Sequence, residues 1–154
     1  MSSDLWSFSL DVYARPGAEQ ACLQLQSAGT NVCLLLCGMW LEQRGVVFSE
    51  PRLRQLREVV EGWDVGVIQP LRALRTQWKA GAAGDTDLHG LREKLKALEL
   101  EGERILLLRL EKTAQQWPQN DRAGSTAWLE GVAADTTNVG RDALHQLRVA
   151  VTGT

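Results

Sequence analysis

The chain is poor in the residues from which most catalytic and metal sites are made. It has two histidines and three cysteines in 154 residues. No His-Glu-x-x-His and no Glu-x-x-His occurs, so the zinc-protease and carboxylate-bridged di-iron ligand sets are missing. Cys22, Cys33 and Cys37 are odd in number and form no disulfide framework. Cys33 and Cys37 share a helical face at i, i+4, which is half of a metal site at most. Zinc takes four ligands and no other Cys or His is near in sequence, so these thiols read as small buried hydrophobes. The glycine-rich Gly81-Ala82-Ala83-Gly84 lacks a following Lys-Ser/Thr and a preceding strand, so it is no phosphate loop. Neither sign of charge dominates: the net charge is −2, which argues against a nucleic-acid binder. There is no apolar run of the roughly 20 residues that a bilayer span needs. The stretch Met1 to Trp6 has no basic-then-apolar leader pattern. The expectation is a cytoplasmic protein with no metal, cofactor, nucleic-acid partner or membrane partner.

What is present is core. Apolar residues make up 44% and charged residues 23% of the chain, the balance of a globular domain. At this length one domain buries enough surface to fold without staples. The organising stretch is Asn31 to Leu41, Asn-Val-Cys-Leu-Leu-Leu-Cys-Gly-Met-Trp-Leu, which carries no charge. A segment apolar all round is buried on all sides. It predicts a central helix over 31–44, inside an all-α, single-domain bundle of about six or seven helices spanning 1–154.

The other helices follow from spacing and punctuation. Asp4 or Ser3 caps a first helix from Leu5 to about Ala14, with Trp6, Leu10 and Tyr13 on one face. Pro16 suits the first turn of a second helix, whose apolar stripe is Ala18, Ala21, Cys22 and Leu25. Thr30 or Asn31 caps the central helix and Gly45 stops it. Val46-Val47-Phe48 is a short connector, since a lone strand has nothing to pair with. Ser49 caps a segment with apolar residues every three or four positions from Leu53 to Trp78. Pro70 removes the bond to residue 66, a glycine, so a bend or break is expected between Gly62 and Gly66. Asp85, Thr86 or Asp87 caps the longest helix, Leu88 to about Trp117, with a seam of Leu88, Leu91, Leu95, Leu98, Gly102 and Ile105 that drifts to Leu106 and Leu110. Pro118 stops it. Gln119 to Gly124 is a turn. Ser125 or Thr126 caps a last helix that Asp135-Thr136-Thr137-Asn138 weakens.

Leu5-Trp6-Ser7-Phe8-Ser9-Leu10, Tyr13, Pro16-Gly17, Ala21-Cys22-Leu23-Gln24-Leu25-Gln26 and Asn31-Val32 to Trp40 resemble an uncharacterised family of small proteobacterial proteins. Pro70-Leu71-Arg72-Ala73-Leu74-Arg75 and Glu99-Leu100-Glu101-Gly102-Glu103 are similar too. The likeness covers roughly residues 4 to 117. The family is a domain of unknown function, so the resemblance implies an all-helical bacterial protein and supplies no activity and no catalytic residues.

Two constellations are candidates for function. Arg72, Arg75 and Lys79 lie at i, i+3, i+7, and arginine forks grip carboxylates or phosphates. Glu99 and Glu103, at i, i+4, repel each other and need a cation nearby. Together they form either an interhelical salt-bridge network or a polar cleft between helices 64–79 and 88–117 that binds a small anionic or partly apolar ligand. Trp117 and Trp128 flank a turn, and as an exposed pair they would make a protein-binding patch. Asp142 with His145, and His89 beside Asp85 and Asp87, read as surface or capping groups. No catalytic set emerges. The first reading is therefore a non-enzymatic helical interaction, regulatory or assembly protein whose partner is another protein. The second is a small-ligand binder or enzyme using the arginine–glutamate cleft.

Overall fold

Short polar side chains start four of the helices. In the computed structural model, which describes residues 4–119, 127–134 and 138–152, Asp4 Oδ1 accepts the Ser7 N–H at 2.7 Å. Asn31 Oδ1 accepts the Leu34 N–H at 3.0 Å, Ser49 Oγ that of Arg52 at 3.3 Å and Asp85 Oδ1 that of Leu88 at 3.2 Å. Each satisfies a donor that the first turn leaves without a helical partner. The helices are α1 (Leu5–Tyr13), α2 (Ala18–Ser27), α3 (Val32–Gln43), α4 (Glu50–Trp63), α5 (Gln69–Ala82), α6 (Thr86–Ala114), α7 (Ala127–Val132) and α8 (Asn138–Thr152). Pro16 lies in the turn before α2 instead of in its first turn. The N-cap is Gly17, whose φ of +82° needs a residue without Cβ. The caps expected at Ser125 or Thr126 lie outside the described residues.

α3 is the axis of the bundle. Every residue from Cys33 to Leu41 is buried, and α1, α2, α4, α6 and α7 all pack on it. Gly38 lets α7 come close: a Cβ there would stand 3.5 Å from Val132 Cγ2 and 3.6 Å from Trp128 Cβ. α8 covers α2. Among the described residues there is no strand, only a single antiparallel bridge between Val46 and Gln119. No helix among them is long and apolar enough to cross a membrane.

Between α4 and α5, where a bend or break is expected between Gly62 and Gly66, the chain stays helical and forms a π-helical turn, Asp64–Ile68, in which the Gln69 N–H reaches back five residues to the Asp64 carbonyl. The wider turn keeps the chain helical next to Pro70, which has no N–H to give. α5 then forms an antiparallel hairpin with the first half of α6. The α6 seam differs from its expected course. Its buried line is Leu95, Glu99, Gly102, Leu106 and Leu110, whereas Leu91 and Leu98 are 52% and 58% exposed. The reason is that α5 packs over the Glu99–Gly102 side, where Gly102 leaves room for Ile68, Val67 and Leu71.

The exposed tryptophan pair is also corrected. Trp128 is fully buried and Trp117 nearly so. Their rings stack at 5.9 Å, Phe48 meets Trp128 edge-on at 5.1 Å, and Trp128 Nε1 donates to the Val46 carbonyl at 2.9 Å. The cause is α7, which folds back onto α3 and draws both rings into the core. Glu42 holds α7 there: its carboxylate accepts the Leu129 N–H in the first turn at 2.9 Å and lies 3.4 Å from Arg148 of α8.

Candidate functional site

The hairpin ion pairs form as a network. Arg75 Nε donates to Glu99 Oε1 at 2.6 Å, and Arg75 Nη2 to Glu99 Oε2 at 3.4 Å. Arg72 lies between the two glutamates, its Nε 3.5 Å from Glu99 Oε2 and its Nη2 3.4 Å from Glu103 Oε1. Arg92 Nε donates to the Arg75 carbonyl at 2.9 Å and ties the two helices further. Glu99 is buried in the apolar seam, where two guanidinium groups pair with it. Lys79 is exposed and stands outside this network.

The network splits at a cavity of about 210 Å3. Arg72 and Glu103 face into it; Arg75, Glu99 and Lys79 do not. The expected cleft between two helices is thus narrower in membership and wider in walls. Trp6, Leu10 and Tyr13 of α1 form one side, Asn31 and Cys33 at the start of α3 a second, Asp64 and Gln69 around the π-turn a third, and Leu100, Glu103 and Leu107 of α6 the last. Two other hollows are larger, about 290 and 460 Å3, but both are more open to solvent.

α1 explains why the cavity exists. Its core face is Leu5, Phe8 and Val12. Of the stripe Trp6–Leu10–Tyr13, Trp6 is half-buried at the edge of that core, and Leu10 and Tyr13 are 52% and 39% exposed. A nine-residue helix with two apolar stripes has more apolar surface than one contact can cover. That excess was visible in the sequence. The roles of Asp64 and Gln69 were not, because they depend on the π-turn, which rotates the following helix relative to the preceding one.

The electrostatics of the cavity are acidic. Its charged wall groups are Asp64, Glu103 and Arg72. Asp64 Oδ2 accepts from Gln69 Nε2 at 3.0 Å. Burial, and then the neighbouring Glu99 carboxylate, push the Glu103 carboxyl above its ordinary value of 4.5; Arg72 opposes the shift without cancelling it. Burial pushes the Cys33 thiol up strongly, and Glu103 adds to the effect. Burial likewise raises the Tyr13 hydroxyl and Cys37, and lifts Cys22 to about 11. These thiols stay protonated near neutral pH and are poor nucleophiles and poor metal ligands. All three cysteines are free, and the described residues hold no cluster of three or more His, Cys, Asp or Glu side chains placed to hold a metal. His89, His145 and Asp142 are exposed; His89 lies 4.0 Å from Glu93.

No curated protein and no solved structure matches the chain. The family described as "Protein of unknown function (DUF2390)" matches residues 4–110, a span that holds α1 through α5, most of α6 and every wall of the cavity. On that match the chain belongs to this family of unknown function.

Proposed function

We propose that this chain is a non-catalytic binding protein, and that the cavity between α1, α3, the π-turn and α6 takes a small molecule with an apolar body and a cationic end. The observation that carries this reading is Glu103. It faces the cavity half-buried, and its one hydrogen-bond partner among the described residues is Arg72, at 3.4 Å. A carboxylate that has lost water and gained a like-charged neighbour is stabilised by any cation placed beside it. Asp64 adds a second carboxylate to the same wall. An anion is disfavoured by the two wall carboxylates, Asp64 and Glu103, and by Arg72, whose Nη2 donates to Glu103 and whose Nε, without a hydrogen-bond partner of its own among the described residues, lies 3.5 Å from Glu99 Oε2. Trp6, Leu10, Leu36 and Leu107 provide the apolar surface, and aromatic walls suit cations as well as rings.

Size narrows the ligand. A cavity of roughly 150 Å3 accepts benzene, so about 210 Å3 accommodates on the order of eight to ten non-hydrogen atoms. Benzylamine and benzoate are matched probes of that size and opposite charge. Benzylamine at ten times its Kd adds about 1.4 kcal/mol of stability, or a rise in Tm of roughly 3–6 °C for a chain of this length. Benzoate adds none. Glu103→Gln abolishes the benzylamine shift. A shift with benzoate alone, or no shift with either, rejects the reading.

A further inference from the structure

We propose that this protein forms a symmetric dimer in which the first half of α6 packs antiparallel against the same segment of a second copy, with Leu98 at the two-fold axis. The α5–α6 hairpin has two unlike flanks. Arg72, Arg75, Glu99 and Glu103 lie on the flank turned to the cavity side. By helical spacing, Leu91, Leu98 and Ile105 lie on the other, seven residues apart. Leu91 and Leu98 are 52% and 58% exposed and Ile105 is half-buried; Leu74 of α5 is 38% exposed. Large exposed apolar side chains in a continuous stripe mark an interaction surface.

The charges beside the stripe identify the occupant. Lys94 and Glu101 are exposed and, like the leucines, are seven residues apart. Neither makes an ion pair within 4.0 Å among the described residues, whereas their neighbour Lys96 pairs with Glu93 at 3.2 Å. When two copies of α6 run antiparallel about Leu98, Leu98 meets its own copy and Leu91 meets the partner's Ile105. The same register brings Lys94 to the partner's Glu101, and Glu101 to the partner's Lys94. Apolar and charged positions are both satisfied by one operation, which is the requirement for an isologous two-fold interface. Shifting the register by one heptad breaks this match, because both Lys–Glu pairs are lost, Lys94 or Glu101 is set against its own copy, and Leu98 no longer faces itself.

The test uses the full chain in sedimentation equilibrium, with circular dichroism to confirm helicity. The wild type is expected to be dimeric, and Leu98→Glu, at an exposed position, monomeric with unchanged helicity. Lys94→Glu alone and Glu101→Lys alone place like charges across the axis twice, and each weakens dimerisation about tenfold. The double variant Lys94→Glu/Glu101→Lys restores it to within about twofold of the wild type. Under mild oxidation Leu98→Cys cross-links to a covalent dimer, and Leu100→Cys, exposed on another face of α6, does not. A wild-type chain that stays monomeric at 100 µM, as expected if a different protein or a membrane covers this face, overturns the proposal. So does a double variant that fails to recover dimerisation.

Discussion

Trp128 is the sharpest test of how the C-terminal segment is held. Its ring is fully buried against Trp117 and Phe48, and its Cβ lies over Gly38 of α3. Replacing it with alanine opens a cavity that one short helix cannot refill, and Trp→Ala substitutions of this kind cost about 3–5 kcal/mol. The change also strands the Val46 carbonyl, which accepts the indole N–H at 2.9 Å; losing a buried partner costs about 1–3 kcal/mol. Trp128→Phe separates the two effects. It keeps most of the ring contact and loses the hydrogen bond, so about 2 kcal/mol is expected. At roughly 2–4 °C per kcal/mol for a chain of this length, the phenylalanine variant melts about 4–8 °C lower and the alanine variant at least about 8 °C lower. Urea unfolding followed at 222 nm measures both. If Trp128→Ala costs less than about 1 kcal/mol, the ring is not built into the core and α7 does not close the bundle over α3.

Gly131→Ala places a Cβ 2.8 and 2.9 Å from two atoms of the Phe48 ring and 3.3 Å from Leu53 Cδ2; the crowding lowers stability by about 1–3 kcal/mol in the same urea assay. Glu103 is protonated more readily folded than unfolded, so the folded state holds the extra proton and stability falls as pH rises from near 4.5 through the raised folded value, then levels off. Glu103→Gln removes that fall, and its urea midpoint therefore gains on the wild type with rising pH across this window and holds a constant lead above it. The native thiols, with Cys22 lifted to about 11 and Cys33 and Cys37 pushed up and buried, react with a disulfide reagent at pH 8 about a hundredfold more slowly than the same chain in guanidinium. A fast-reacting native thiol rejects the burial that places these side chains in the core.

Much of the fold was legible because its signals are local. The uncharged run at 32–41 appears as a buried central helix, and the caps fall at Asp4, Asn31, Ser49 and Asp85, each among the short sets of candidates that the sequence offers. What failed depended on neighbours. A spacing argument admits any apolar residue at steps of three or four, and so it placed Leu91 and Leu98 in the seam. The seam in fact runs through Glu99, a residue no hydrophobicity rule assigns to a core. Only the pairing of α5 with α6, which supplies Arg72 and Arg75, makes that position tenable.

The tryptophans teach the complementary lesson. Trp117 precedes Pro118, and a residue at the end of a helix beside a turn has no local reason to be buried. Its burial comes from Glu42, an acidic residue at the far end of α3 that reads as a polar helix terminus. Glu42 accepts the Leu129 N–H and pairs with Arg148, at residues 87 and 106 positions away in sequence. Burial raises its pKa, the mark of a charge kept at some cost. A remote carboxylate thus does for α7 what Asp4 does for α1. Because α7 and α8 lie beyond the matched family region of 4–110, the stretch that carries the family likeness is closed on one side by a segment outside it, through contacts no single-sequence pattern encodes.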